Sequence, residues 1–445
     1  MTTRLWAAIA LSCSLSIFAN SQSQTPSELS LSEAIRFALK HSPALKASRA
    51  EVAAARAEVG MARGKGGPQL SANGFYSKSD MPTTLSSAGG VEPNALIMAP
   101  DKDYRDFNLS FMVPLYTGGI YSGLVASSIA LRSAAMAETT GMEAEVVLKV
   151  RESYLRAVYL KELVTAFASR VRAAEGMAAN AQTRFNAGSG IEATVRRAEA
   201  ELAEARKDLK MTENDRQKML LELLAEMGST MDSMPTLTEK LEFKQPNLNL
   251  AQSLVDADKT RGELLSARLQ VMAAKGKASS AAGALKPQIY GFAMKDFFSP
   301  TDGMGKSSGY SFGITVSLPV FDSGIRRSEV AATKAMVERA QAEADRWKLV
   351  VEREVRQAWL DIETASQNYS TALAALKGAE SAFEVISIRV ETGKSILVEQ
   401  LDALATLTKA RANVAQALFE HEIAVAKLDR AIGVVGDLAR PEVKS

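Results

Sequence analysis

The spacing of apolar residues along this chain changes twice, in the same order, in each of two stretches. From Gly119 to Gly188, and again from Gly324 to Gly393, the spacing is helical and proline-free. Each run holds ~66 residues, a rod of ~100 Å at 1.5 Å per residue. In the later run Val355, Ile362, Tyr369, Leu376, Phe383 and Val390 recur every seven residues. Ala358, Ala365, Ala372, Ala379 and Ile386 follow three places behind, making a heptad seam with one large and one small column. Each rod breaks at a glycine turn, Arg184 to Gly188 or Arg389 to Gly393. A second proline-free helix then follows, about Ile191 to Met227 and Ile396 to Ile432.

Ahead of each rod the period is two. From Tyr310 to Leu318, Tyr310, Phe312, Ile314, Val316 and Leu318 alternate with Ser311, Gly313, Thr315 and Ser317, and the segment Tyr104 to Val113 behaves likewise. Such ~10-residue segments have the length and alternation of a transmembrane β-strand, although a soluble sandwich strand shares the pattern. QLSANGFYS after Pro68 and QIYGFAMK after Pro287 are the candidate hairpin partners. The intervening stretches, about Lys78 to Asp103 and Asp296 to Gly309, are rich in Gly, Pro, Ser and Asp and are expected to be loops. Pro114 and Pro319 are expected to end the second strands, and Gly119 and Gly324 to let the chain swing into the rods.

The halves superpose in sequence. An offset of 205 lays Arg184 on Arg389, Gly188 on Gly393, Tyr154 on Trp359 and Gly228 on Gly433. An offset of 219 lays Leu31 on Leu250 and Pro68-Gln69-Leu70 on Pro287-Gln288-Ile289. The offsets differ by 14 residues, which places extra chain between Pro68 and Pro114. Ser30 with Glu33 forms a capping-box pattern opening a helix that bends at Pro43, and Asn249 with Gln252 repeats it. The reading is an internal duplication: a signal peptide over 1–23, a first repeat over 24–228, a connector over 229–249, a second repeat over 250–433 and a tail over 434–445.

The signal assignment rests on Arg4, an apolar run from Leu5 to Phe18 and a small-residue cleavage site at Ala19-Asn20-Ser21. Cys13 lacks the usual leucine three places before a lipidated cysteine. No other stretch is expected to cross a bilayer as a helix, so spanning falls to strands.

Net charge is +2, from 53 basic and 51 acidic residues, which gives no basis for a nucleic-acid partner. One cysteine and two histidines, His41 and His421, leave no disulfide and few transition-metal sites. Gly305 to Gly309 matches G-x-S-x-G but lies in a Gly/Ser loop with no strand-turn-helix context. No catalytic, cofactor or metal site is expected.

Two hairpins supply four strands, too few for a barrel, since the smallest membrane barrels have about eight. Open strand edges in lipid are costly, so copies must share one barrel, and three copies supply about twelve strands. The expected fold is mainly α with membrane β: a duplicated unit of two-stranded hairpin plus long antiparallel helices, whose trimer forms a β-barrel continued by an α-helical barrel.

At this point the chain resembles the TolC family of outer-membrane efflux proteins. The resemblance rests on Pro43-Ala44-Leu45, Pro68-Gln69-Leu70, the Pro114 and Pro319 corners, RFNAG at Arg184 to Gly188 and LDA at Leu401 to Ala403. It implies a homotrimeric duct in the outer membrane, with its helical part in the periplasm, docked to a periplasmic adaptor protein and an inner-membrane pump and exporting drugs, metals or proteins. It also implies a gate at the periplasmic tip, where Glu399 and Asp402 match a cation-selective acidic ring. A solvated acidic helix face fits the same spacing, and both readings stand at this stage. Where well-known members lock the tip with Asp, Tyr and Arg, this chain has Thr194, Val390 and Ser395. The rivals are a periplasmic adaptor, which carries a single hairpin flanked by small β-domains, and a coiled-coil spacer, which leaves the strand alternation unexplained.

Overall fold

A computed structural model describes residues 28–78, 83–86, 96–99, 103–231, 234–245, 249–300 and 306–434. The expected signal segment with Cys13, the Gly305 end of the G-x-S-x-G match and the tail beyond Val434 lie outside the described residues.

Two helices run the length of the helical part, α3 (Ile120–Asn186) and α7 (Ile325–Glu391). Each has 67 residues and spans about 100 Å. The other helices are α1 (Leu31–His41), α2 (Pro43–Lys65), α4 (Glu192–Met227), α5 (Leu250–Thr260), α6 (Gly262–Gly283) and α8 (Leu397–Ile432). They pack in a fixed lateral order. Nearer the sheet that order is α2, α3, α6, α7; nearer the turns it is α4, α3, α8, α7. The molecule is therefore four parallel columns, two continuous and two each made of helices joined end to end.

Glycine makes both joints. Gly228 closes α4 at φ 71°, and Gly433 closes α8 at φ 82°, the left-handed region. At Gly228 a Cβ would sit 2.8 Å from the carbonyl oxygen of His41, and at Gly433 it would sit 2.9 Å from that of Thr260. Each helix thus ends against the break between the two helices above it. In the first half that break is made by Pro43, at the first helical position where its missing N–H costs nothing. In the second half no proline is present and Arg261 occupies the break, with φ −65° and ψ 114°.

The capping box at Ser30 forms in both directions: Ser30 Oγ accepts from the Glu33 amide, and Glu33 accepts from the Ser30 amide at 2.9 Å. The second cap is one-sided. Asn249 accepts from the amides of Ala251 and Gln252, but the Gln252 side chain donates forward to Asp256 at 2.8 Å.

The sheet is antiparallel in the order β2-β5-β7-β8, formed by β2 (Gln69–Lys78), β5 (Asp103–Tyr116), β7 (Gln288–Pro300) and β8 (Lys306–Ser317). Its strands run further than the alternation predicts, because the ladder continues into both expected loops. The first of these loops also carries a short antiparallel pair, β3 (Thr83–Ser86) with β4 (Leu96–Ala99). Pro114 does not end its strand. β5 continues to Tyr116, with Pro114 opposite Tyr290 and a register shift immediately after it, the irregularity a residue without an N–H imposes on a ladder. At the second corner β8 ends at Ser317, before Pro319, as expected.

The connector contributes a strand that the sequence does not announce. β6 (Thr236–Leu237) lies parallel to β1 (Glu28–Leu29), and Tyr154 Oη donates to the Leu29 carbonyl at 2.9 Å. Leu29, Ile35, Leu45, Val150, Tyr154, Leu223, Met227 and Leu237 form the largest buried cluster here. One stretch of α3 reaches a mean hydropathy of 1.2 over 18 residues, contrary to the expectation that no helix would. Isoleucine, leucine and alanine raise that value, and the helix packs along α2 and α6 rather than standing alone.

Candidate functional site: the helical tip

At the end farthest from the sheet, α3 and α7 terminate in two turns of the same construction. Gly188 and Gly393 take φ 71° and 74°. The following amides return to the last helical turn, Ser189 N to Arg184 O at 2.9 Å and Lys394 N to Arg389 O at 2.7 Å. Neither glycine has an atom near the place of a Cβ, so backbone angle rather than crowding selects glycine here.

The arginines of the two turns do different things. Arg184 donates from Nη2 to the carbonyl oxygen of Val390 at 3.3 Å, linking the first turn to the end of α7. Arg389 stays within its own turn, donating to the Lys394 carbonyl at 3.5 Å.

Glu399 and Asp402 lie exposed on the first turns of α8. Leu401 and Leu404 are buried against Met177 of α3, on the other side of α8, so the carboxylates face away from the hairpin contact. Ser395 Oγ donates to the Glu399 carboxylate. The positions 205 residues earlier hold Thr194 and Arg197, and Arg197 is exposed. The acidic pair therefore has a basic residue at its duplicated position. The register identified from sequence contains that fact, but it emerges only when the register is read at the site itself.

Ion pairs staple each hairpin above the tip. Arg206 of α4 meets Glu175 of α3 at 2.8 Å, and Arg411 of α8 meets Glu380 of α7 at 3.5 Å, again 205 residues apart. Arg170 of α3, almost buried, holds Glu201 at 2.5 Å and Asp208 at 2.8 Å; the second hairpin has Ala375 in its place.

At the other end of the rods, Gly119 and Gly324 cap α3 and α7 at φ 102° and 87°. Asp322 secures the second corner, accepting from the Gly324 amide at 3.1 Å and the Arg326 amide at 3.2 Å.

Midway, the joint at Arg261 gathers charge from four helices. Arg261 is buried and touches Glu354 at 2.6 Å and Glu263 at 2.8 Å. Arg430 in the last turn of α8 reaches Glu354 at 2.9 Å, Glu145 at 3.1 Å and Glu263 at 3.1 Å. Burial, opposed by Arg261, holds the Glu354 carboxyl above the ordinary carboxylate range. Among the described residues no group of side chains is arranged to hold a metal ion.

The family described as outer membrane efflux protein matches residues 34–229 and 253–434. Among curated proteins, CyaE of Bordetella pertussis is 25% identical over 394 residues, covering 86% of this chain and 80% of CyaE. The cobalt-zinc-cadmium resistance protein CzcC of Cupriavidus metallidurans is 24% identical over 392 residues, covering 82% and 88%. Among solved structures, the CmeC outer membrane channel of Campylobacter jejuni superposes with a TM-score of 0.78 at 16% identity, covering 92% of this chain and 87% of CmeC. The two-part match falls on both series of helices, and the fold is that of the outer-membrane channels. The chain belongs to the outer membrane efflux protein family and is an outer-membrane efflux duct, with its sheet in the membrane and its helices in the periplasm.

Proposed function

We propose that three copies close into one barrel of about twelve strands continued by a helical tube, docked at its tip to a periplasmic adaptor and an inner-membrane pump. One observation carries this reading: the same two sides are unmatched at every level. The sheet ends in β2 and β8, the upper helices in α2 and α7, and the lower helices in α4 and α7. One chain is a strip with two open sides, and only closure with other copies removes them. Tyr310, Phe312, Ile314 and Val316 are all more than 60% exposed on one face of β8, which suits lipid outside such a barrel. An adaptor or a coiled-coil spacer has no use for that face.

Within this reading the duplicated units are 24–228 and 250–433, joined by 229–249. The tip is the entrance, and Glu399 with Asp402 biases it toward cations. Arg197, at the duplicated position, offsets part of that charge. Arg184, Gly188, Arg389 and Gly393 shape the turns an adaptor meets, while Gly119, Gly324, Pro114 and Pro319 shape the corners where barrel becomes tube. The duct performs no reaction; it works through shape and charge.

The test has two readouts. The mature protein extracted in detergent should run as a heat-modifiable trimer, and a photo-crosslinker at Ser395 in cells should capture an adaptor. A water-soluble monomer overturns the barrel, and capture of sister subunits alone overturns the docked assembly.

A further inference from the structure

The strand register assigns every residue of the sheet to one of two faces. Phe111, Leu109, Ala293, Phe312 and Ile314 share the apolar face. On the opposite face Ser71 bonds Ser110 at 2.7 Å, and Asn73 bonds Asn108 at 3.0 Å. That polar face turns to the lumen of the duct. It is not uniformly polar, for β7 presents Phe292, Met294 and Asp296 there in succession, and Met112 of β5 stands directly opposite Phe292.

The placement of these side chains is specific. A Cβ added at Gly313 of β8 would lie 3.1 Å from two carbons of the Phe292 ring, so the ring reaches over the bare backbone of the neighbouring strand. Met112 and Met294 are each more than a third exposed on this face. Lys295, between Met294 and Asp296 in sequence, belongs to the other face, where its Nζ lies 5.9 Å from the Phe297 ring. No ion pair to Asp296 is present among the described residues.

We propose that Phe292, Met294 and Asp296, with Met112, form a binding strip inside the barrel for a lipophilic organic cation in transit. Residues two apart on one face of a strand are spaced ~6.8 Å, so the strip extends about 14 Å from ring to carboxylate. That matches one aromatic cation lying along the strand. The Phe292 face attracts cationic charge through its quadrupole, the thioethers give an adaptable polarisable surface, and Asp296 supplies the counter-charge. A neutral apolar molecule gains only the first part of this surface, and an inorganic cation only the last.

The inference rests on the duct reading, because only in a closed barrel does this face line a lumen. Its test is equilibrium dialysis of tetraphenylphosphonium against the trimer in lipid nanodiscs, with empty nanodiscs subtracted and neutral triphenylphosphine oxide as comparator. The expected result is one site per chain for the cation and none for the neutral compound. Asp296→Asn and the apolar Phe292→Leu should each weaken binding about tenfold, while Asp215→Asn on the exposed side of α4 leaves it unchanged. Equal binding in wild type, Asp296→Asn and Phe292→Leu overturns the strip, as does an equal loss in Asp215→Asn. Ion conductance in planar bilayers is read separately, so a failed duct is distinguished from a failed strip.

Discussion

Arg184 and Val390 lie 206 residues apart in sequence, and a hydrogen bond of 3.3 Å from the Arg184 guanidinium to the Val390 carbonyl ties the tips of the two hairpins together. The acceptor is a backbone oxygen, which no substitution at position 390 can remove. The latch is therefore controlled from one end.

Replacing Arg184 by alanine should loosen the tip. The bond contributes about 1 kcal/mol at this half-exposed place, enough to raise the fraction of open channels roughly fivefold. Single-channel recording would register longer open times, and Val390→Ala should leave them unchanged.

In the proposed duct Glu399, Asp402 and Arg197 bias the charge of the entrance. Glu399→Gln/Asp402→Asn should bring the reversal potential in a KCl gradient close to zero, whereas Arg197→Ala should raise cation preference above wild type. A reversal potential indifferent to all three would place selectivity elsewhere in the duct.

The joint at Arg261 is the place where one missing charge costs most. Arg430→Met leaves Glu145, Glu263 and Glu354 short of a shared partner in partly buried surroundings. The loss should be roughly 2–4 kcal/mol, toward the lower part of the range for broken buried pairs because these groups keep some contact with water. Adding Glu354→Gln should recover part of it, as denaturant titration of the two variants would measure.

Acid should weaken the attachment of the connector through His421. The imidazole is fully buried, with the Phe243 ring of the connector 4.6 Å away and Tyr369 stacked on Phe243. Burial lowers its pKa below 6.5. The unfolded chain therefore takes up a proton first, and stability falls as pH drops from about 6.5 through the depressed value. His421→Leu should flatten that part of a melting-temperature profile between pH 5 and 7.

What could be read from sequence followed from periodicity and offset. The rods, both glycine turns and the paired hairpins needed only the spacing of apolar residues and a register of 205. Pro114 lies within its strand, not at its end; a proline at a register shift leaves the same mark in sequence as one that ends a strand. β6 is two residues long and exists only because Leu29 and Tyr154 are brought beside it. The charged joint draws on α3, α6, α7 and α8, and no local pattern links Glu145 to Arg430. The lumen strip was equally hidden, since Phe292 and Met294 acquire meaning only when Asn73 and Asn108 identify the face they share.

The four-column order also governs how the protein comes into being. Because β2, α2 and α4 are unmatched along one side and β8 and α7 along the other, a pair of joined copies exposes as much edge as a single one. In the proposed trimer the first pairing closes one seam and the last copy closes two, so assembly is strongly concentration-dependent. A chain outside the proposed trimer therefore carries bare strand edges beside the apolar face of β8, the kind of edge that pairs with other chains unless it is covered.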